Sequence, residues 1–247
     1  MDPGRTSEAE RALRALGPIE LPRPAPRPRG SLARALAERR TTREILGRAL
    51  PPQTLSLLLW AACGVNRSEG PFGIPGRTAA SASNSQEIDV YVALPEATYL
   101  YDPAGHRLLP AAAGDLRPLA IGRGQAPAGA RAPARLIYVA DLDRLAHTAG
   151  FDEPGLHDPE VQRSYYFVDT GLIAANVYLM AAALGLGAWV HNCDRPSLAA
   201  RLGFGADERV LFAQTVGYPS EGGRARALRE RPPRERRRPR TGREAHA

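Results

Sequence analysis

The sequence predicts an α+β domain, and three patterns predict it. Candidate strands and helices alternate irregularly, two early strands are close enough to pair as a hairpin, and one late helix is apolar around nearly its whole circumference. A doubly wound parallel sheet would instead alternate strand and helix regularly, so the α+β class is favoured.

Composition divides the chain into three parts. Residues 1–30 end in "LPRPAPRPRG", whose prolines forbid helix and favour extended chain, so we expect a leader that lies beside the domain and adds nothing to its core. Residues 31–219 carry the periodic elements and form the predicted domain. Residues 220–247 are rich in Arg and Pro, and we expect them to be disordered.

Four stretches have helical patterns. Ser31 can cap a short helix with Leu32, Ala35 and Leu36 on one face. The stretches "PPQTLSLLLWAACG" and "RPSLAARLG" each begin at Pro and stop at Gly. The late apolar helix is "DTGLIAANVYLMAAAL", and its composition predicts either the central helix of the domain or a subunit interface.

Strand patterns account for most of the remaining chain. "IDVYVAL" alternates, "TYLYDPAGHRLL" predicts a hairpin that turns at residues 102–105, and "ARLIYVAD" is suited to a buried central strand. "GAWVHN" and "RVLFAQTVGYP" predict the last two strands. Residues 64–86 are rich in Gly, Ser, Asn and Pro and predict a long loop of functional importance.

Charge and cysteine content limit the protein's partners and location. Residues 224–247 hold ten of the 33 basic residues and three of the 26 acidic ones, which leaves a balanced body of 23 against 23. A specific nucleic-acid-binding fold is therefore not expected. Cys63 and Cys193 have no metal or redox spacing, no apolar signal segment opens the chain, and no stretch reaches the length of a membrane span. We expect a soluble cytoplasmic protein without a metal.

The stretch "AERRTTREI", residues 37–45, gathers Arg39, Arg40 and Arg43 around two threonines. It could be a solvated charge run. The alternative is a phosphate site, since guanidinium forks match phosphate oxygens and threonine hydroxyls can complete the cradle. The polar run "RTAASASNSQ" before a strand favours the second reading, because it supplies donors and acceptors for a hydroxylated chain and a heterocycle edge.

Five blocks in order resemble the FMN-dependent nitroreductase family: "RRTTREI", "LSLLLWAACGVNR", "RTAASASNSQEIDVYVAL", "DTGLIAANVYLMAAALGLGAW" and "AQTVGYP". The chain is most similar to the branch that includes the dehydrogenases of peptide azoline rings, and the resemblance covers about residues 30–219. It implies a mixed, mostly antiparallel sheet flanked by helices, a central buried helix and an intertwined homodimer.

The resemblance also implies roles for particular residues. Arg39, Thr41 and Arg43 match the family's FMN-binding Arg-x-Ser-x-Arg/Lys block, with Arg39 on the phosphate and Arg43 near the isoalloxazine N1. The family's Pro-Ser-x-x-Asn-x-Gln block, which reaches the cofactor of the other subunit, begins here at Ala80 in place of Pro, which puts the rigidity of the loop in question. The expected cofactor-binding residues are Arg39, Arg40, Thr41, Arg43, Ser81, Ala82, Ser83, Asn84, Gln86, His191 and Asn192.

No side chain is predicted to be essential for the chemistry, because a bound flavin carries out hydride transfer itself. His191 follows an apolar strand, where a histidine is usually structural, but near the flavin N5 edge a ring titrating around neutrality could line the substrate pocket or relay a proton. "ALGLGA" lacks the context of a dinucleotide fingerprint, so NAD(P)H would bind transiently above the flavin.

Two segments have open roles. Residues 151–167 contain His157, Asp158, Tyr165 and Tyr166 and predict either a lid whose aromatic rings meet the substrate or ordinary surface packing. In the tail, Arg224 or Arg226 could reach the FMN phosphate, as in relatives, or the tail could bind RNA or membranes weakly.

The predicted function is two-electron hydride transfer from NAD(P)H to nitroaromatic, quinone or similar electron-poor substrates. Dehydrogenation of a peptide heterocycle or an amino-acid-derived substrate is the alternative. A non-catalytic flavin-binding adaptor that acts through its basic tail is an alternative of another class.

Overall fold

The computed structural model describes residues 8–25, 31–122, 124, 132–149 and 157–222. Its main feature is a seven-stranded sheet in the order β1-β6-β5-β4-β7-β9-β8, in which every neighbouring pair is antiparallel. These strands are β1 (Ile19–Glu20), β4 (Ile88–Ala93), β5 (Ala97–Asp102), β6 (Arg107–Ala113), β7 (Ala134–Asp141), β8 (Gly187–His191) and β9 (Glu208–Gly217). The predicted α+β class and mostly antiparallel sheet are confirmed.

Helices cover both faces of this sheet. They are α1 (Glu8–Ala15), α2 (Leu32–Glu38), α3 (Pro52–Cys63), α4 (Leu142–Ala146), α5 (Pro159–Ala183) and α6 (Arg195–Leu202). The predicted caps are present: the Ser31 side chain accepts a hydrogen bond from the Arg34 amide at the start of α2, and Gly203, with φ of 73°, ends α6 in the left-handed region.

Strand β7 lies inside the sheet between β4 and β9, as its apolar run predicts. Leu136 and Tyr138 on one face join the larger core under α3 and α5, while Ile137 and Val139 on the other face join a second core with Leu198 of α6. A strand covered on both faces has no polar side, which explains why its sequence does not alternate.

The long helix α5 has one buried side and one exposed apolar side. Ile173 and Val177 belong to the larger core, whereas Phe167, Val168 and Leu172 are 37%, 58% and 41% exposed. By length and composition alone, the helix could cross a membrane, so the expectation that no stretch reaches this length is wrong. In the structure, 39% of its most apolar 18-residue window is buried. Its buried side packs on α3 and the sheet as a core helix does.

The leader departs from its expected role. Ile19 and Glu20 pair with Leu108 and Arg107 of β6, and the next residue, Leu21, is buried in the larger core. The expectation that residues 1–30 add nothing to the core is therefore wrong. The physical reason is that β6 would otherwise be the edge of the sheet, and the three residues before the prolines are free to pair with it.

The predicted loop at residues 64–86 contains short regular elements. Strands β2 (Val65–Arg67) and β3 (Gly76–Arg77) form a two-stranded ribbon, and single 3₁₀ turns span Pro71–Gly73 and Ala82–Asn84. The tail residues Arg224 and Arg226 lie outside the described residues, so their predicted phosphate contact stays a prediction.

Candidate functional site

The arginine segment, residues 39–43, leaves α2 and runs along the edge of the main sheet. The Arg39 amide closes the last turn of α2 by donating to the Ala35 carbonyl. Thr41 then bridges Ala188 of the edge strand β8 in parallel, and the Thr42 amide donates to the Ala188 carbonyl at 2.9 Å. The backbone of the segment is thus fixed and Thr42 is buried, while Arg39, Thr41 and Arg43 remain exposed.

Its three arginines carry charge that no nearby carboxylate neutralises. Among the described residues, no Asp or Glu lies within ion-pair distance of Arg39, Arg40 or Arg43. The Arg39 guanidinium lies 5.6 Å from the centre of the Tyr178 ring, and that of Arg43 lies 5.8 Å from the centre of the Trp189 ring. Aromatic rings orient a cation without cancelling its charge, so the segment is suited to an anion.

Tyr178 of α5 connects the arginine segment to β8. Its hydroxyl accepts a hydrogen bond from the Val190 amide at 2.8 Å and lies 3.4 Å from the Thr41 hydroxyl. Neither Tyr178 nor Trp189 was among the predicted site residues. A signal for Tyr178 was present in the sequence, because a phenol within an apolar helix needs a partner for its hydroxyl.

His191 is buried behind this edge, and of its two possible roles the structure favours the structural one over a ring that titrates near neutrality. Its Nδ1 donates to the Asn192 carbonyl at 2.9 Å, and its Nε2 lies 2.7 Å from the Thr215 hydroxyl. Burial, together with a smaller effect of the nearby Arg135 guanidinium, lowers the pKa of His191 to about 4. The ring is neutral and structural, and it packs 4.3 Å from the Trp189 ring. The Asn192 side chain is exposed.

The polar loop, residues 81–86, bonds largely to the protein itself. The Ser81 hydroxyl accepts from the Gln86 amide at 3.0 Å, and Asn84 Nδ2 donates to the Ile74 carbonyl at 3.2 Å. The Gln86 side chain donates to the Pro75 carbonyl at 2.7 Å and accepts from Arg77 Nε at 2.6 Å. These amides were predicted to meet the cofactor, but here they shape the loop.

The backbone of the polar loop is strained. Ser83, Asn84 and Gln86 have φ values of 45°, 58° and 53°, a region that side chains other than glycine rarely enter. Such conformations persist only where the surroundings impose them, and they concentrate at ligand sites. The loop is therefore held in one shape by its contacts.

Two buried carboxyl groups lie under the polar loop. Asp169 of α5 accepts from the Ala82 amide at 2.9 Å, and Glu87 accepts from the Ser85 hydroxyl at 2.6 Å. Burial raises the pKa of both carboxyls, that of Glu87 to about 7. Neither carboxyl was among the predicted site residues, although Asp169, an acid within an apolar helix, was a visible signal in the sequence.

The arginine segment and the polar loop do not meet within one chain. They contact α5 at Tyr178 and Asp169, nine residues apart. At 1.5 Å and 100° per residue, this separation is about 13 Å along the helix and about half a turn around it. The structure thus places the two predicted halves of the cofactor site on opposite sides of the helix.

Two residues of the predicted lid, residues 151–167, belong to the helix α5 or its start instead. Asp158 caps α5 by accepting from the Glu160 amide, and Tyr166 is buried in the larger core. Tyr166 therefore cannot meet a substrate, because its ring is covered by the protein. Residues 150–156 lie outside the described residues.

The described residues thus form an antiparallel sheet with helices on its faces and an arginine cluster along its edge strand β8, an arrangement suited to an anionic ligand. Comparison with known proteins gives the family. The model of the Nitroreductase family matches residues 36–218, and the chain belongs to this family. A candidate nitroreductase of Methanocaldococcus jannaschii is 32% identical over 161 residues, which cover 62% of this chain and 73% of that protein. The protein is therefore a flavin-dependent oxidoreductase.

Solved structures agree with the fold. A candidate nitroreductase from Ralstonia eutropha is 36% identical, has a TM-score of 0.70 and covers 83% of this chain and 90% of its own. The Escherichia coli microcin synthetase complex McbBCD has a TM-score of 0.56 at 18% identity, and the match covers 72% of this chain and 68% of that chain. The NADPH:FMN oxidoreductase of Vibrio harveyi has a TM-score of 0.52 at 17% identity, and the match covers 77% of this chain and 69% of that chain. The last two show the shared fold only.

Proposed function

We propose that the arginine segment binds the phosphate of FMN and that the protein transfers hydride from NAD(P)H to an electron-poor substrate. The observation that carries this proposal is the group of three arginines for which the described part of the chain offers no carboxylate partner, two of them oriented by aromatic rings. The donor set fits FMN, because guanidinium groups and the exposed Thr41 hydroxyl are what a phosphate requires.

We also propose that the functional unit is a homodimer. The polar loop lies on the opposite side of α5 from the arginine segment, so a cofactor on the segment would meet the polar loop of another chain. The exposed residues Phe167, Val168 and Leu172 give α5 an apolar surface that a second copy would cover.

Each residue then has a physical task. FMN, when bound, supplies the two-electron chemistry. Arg39 would neutralise the phosphate, and Tyr178 would hold both the Arg39 guanidinium and the β8 backbone in place. Arg43 would stabilise negative charge gained on reduction, and about 1.4 kcal/mol of such stabilisation raises a two-electron potential by about 30 mV. His191 supports Trp189, on which Arg43 lies, and exchanges no proton near neutral pH.

The substrates we propose are nitroaromatics and quinones, with NAD(P)H as donor. The Vibrio harveyi protein that shares the fold is an NADPH:FMN oxidoreductase, and this supports NAD(P)H as the donor. The fold also occurs in a microcin synthetase complex, so dehydrogenation of a peptide heterocycle is the second candidate, and the direction of transfer separates the two.

The test begins with the purified full chain and added FMN. We expect a yellow dimer by light scattering, anaerobic bleaching by NADH or NADPH, and reoxidation by a nitroaromatic compound or quinone. A colourless protein that takes up no FMN would refute the proposal. Bleaching by an azoline peptide, with no reduction by NAD(P)H, would support the second candidate instead.

A further inference from the structure

A small cavity lies between the polar loop and α5, away from the arginine segment. Its volume is about 40 Å³, and it is lined in part by Glu87, Asp169, Arg77, Asp89 and Arg144. Glu87 is 0% exposed and Asp169 is 3% exposed. One oxygen of Glu87, Oε1, has no hydrogen-bond partner among the described residues, and Asp169 is the charged group that acts most strongly on this carboxyl.

The two carboxyls are the direct support of the polar loop. Asp169 accepts from the Ala82 amide at the point where the chain enters the left-handed residues, and Glu87 accepts from the Ser85 hydroxyl inside the turn. A strained backbone relaxes when such contacts are lost. The shape of the loop therefore depends on these two side chains.

The cations around the cavity are engaged elsewhere. Arg77 donates to the Gln86 side chain and to the Cys63 carbonyl. Arg144 pairs with Asp89 at 3.0 Å and with Asp141 at 2.9 Å. The other titratable groups facing the cavity are Cys63 and Tyr101.

Two buried carboxyls on one cavity, whose described cations are bonded elsewhere, cannot both be ionised without a large cost in free energy. Protonation of one carboxyl removes this cost. A protonated Glu87 can donate to Asp169, which leaves the Asp169 carboxylate free to hold the Ala82 amide. Ionisation of Glu87 would instead set two negative charges against each other under the loop.

We propose that Glu87 and Asp169 are positioning residues that share one proton, and that loss of this proton releases the polar loop and weakens flavin binding. The inference rests on the proposed FMN function. Because folding raises the pKa of Glu87 from 4.5 to about 7, the stabilisation is present in full below pH 4.5 and is lost as the pH rises through about 7.

The test measures FMN affinity at pH 6 and pH 8 by quenching of flavin fluorescence. We expect the affinity of the wild-type chain to fall by about tenfold between these pH values, as one linked proton requires. Glu87→Gln should keep its pH 6 affinity at pH 8, because an amide donates to Asp169 at any pH. Asp169→Asn should flatten the profile in the same way, and Asp169→Ala should weaken binding at both pH values.

The control is Glu160→Gln, which removes an exposed carboxyl from the same helix and should keep the wild-type profile. The FMN phosphate also titrates near pH 6, but it affects every variant alike. The difference between wild type and Glu87→Gln is therefore decisive, and identical profiles for these two proteins would overturn the inference.

A second readout needs no flavin. Hydrogen exchange of the Ala82 amide in the apoprotein, corrected for the intrinsic effect of pH, should lose protection at pH 8 in the wild type and keep it in Glu87→Gln. Equal protection in both proteins would contradict the inference. If the wild type binds no FMN at any pH while Ala82 behaves as expected, the proposed function fails and the carboxyl pair stands.

Discussion

The arginine segment and the polar loop are both rich in hydrogen-bonding groups, but in the segment the backbone is bonded to the protein, whereas in the loop the side chains are. In the segment, the backbone is bonded to β8, and the guanidinium groups are left without carboxylate partners among the described residues. In the loop, the side chains bond to the protein, and left-handed backbone is stabilised by buried acids.

This difference distinguishes two ways of preparing a binding site. Charge without a carboxylate partner gives affinity, since an anion gains charge-assisted hydrogen bonds without first breaking an ion pair. A loop whose side chains hydrogen-bond to the protein contributes a fixed shape to the site, since most of its donors and acceptors already have partners. We therefore expect the segment to supply the charge that attracts the FMN phosphate and the loop of the second chain to complete the site.

The largest effect should come from breaking the link between the two regions. Leu172→Glu places a charge on the exposed apolar side of α5, where a second copy would have to bury it. We expect a folded monomer, unchanged in far-UV circular dichroism, that has lost flavin binding.

Light scattering and flavin content are the measurements. Ala200→Glu, on the exposed side of α6, adds the same charge outside this surface and should stay dimeric with bound flavin. A Leu172→Glu dimer with full flavin content would show that the loop and the segment do not work across two chains.

The next effect is on affinity alone. Arg39→Ala removes a charge-assisted contact worth about 2–3 kcal/mol, so the Kd for FMN should rise by roughly 30- to 160-fold. Arg34→Ala is the matched control, because Arg34 pairs with Glu38 on the exposed face of the preceding helix. Equal affinities for the two variants in a fluorescence titration would remove Arg39 from the phosphate site.

A smaller loss is expected at the connection between α5 and the arginine segment. Tyr178→Phe keeps the ring under Arg39 but removes the hydroxyl bonded to the Val190 amide and near Thr41. Loss of about 1 kcal/mol should weaken FMN binding roughly fivefold. A change of thirtyfold or more by equilibrium dialysis would mean that the hydroxyl does more than position its neighbours.

The smallest effect concerns the redox potential. Arg43→Ala should lower the potential of bound FMN by about 10–30 mV, because the reduced, more negative form loses a nearby cation. Arg48→Ala removes an arginine that also lies over an aromatic ring, Tyr218 at 4.3 Å, but outside the segment. A dye-equilibration titration should show no change for Arg48→Ala, and an unchanged potential for Arg43→Ala would assign that residue to binding only.

Local elements were predictable because their signals are local. The cap at Ser31, the stop at Gly203 and the buried run of β7 follow from the periodicity and end residues of short stretches. The arginine segment was predictable in the same way, since five consecutive residues contain its whole charge pattern.

Long-range contacts were not predictable from these signals. Leu21 joins the core through a strand pair with residues nearly ninety positions later, and Asp169 holds the amide of Ala82 across 87 positions. Likewise, the sequence left His191 open between a structural ring and a ring that titrates near neutral pH. Thr215 and the surrounding core, which remove the ring from solvent, favour the structural role.

The sequence by itself thus determined the fold class, the order of the elements and the clustering of three arginines in one short segment. The tertiary structure decided which polar groups are free to bind a ligand and which are used up within the protein. The reason is physical: secondary structure follows from neighbouring residues, whereas burial, pKa and hydrogen-bond satisfaction depend on whatever the fold brings alongside.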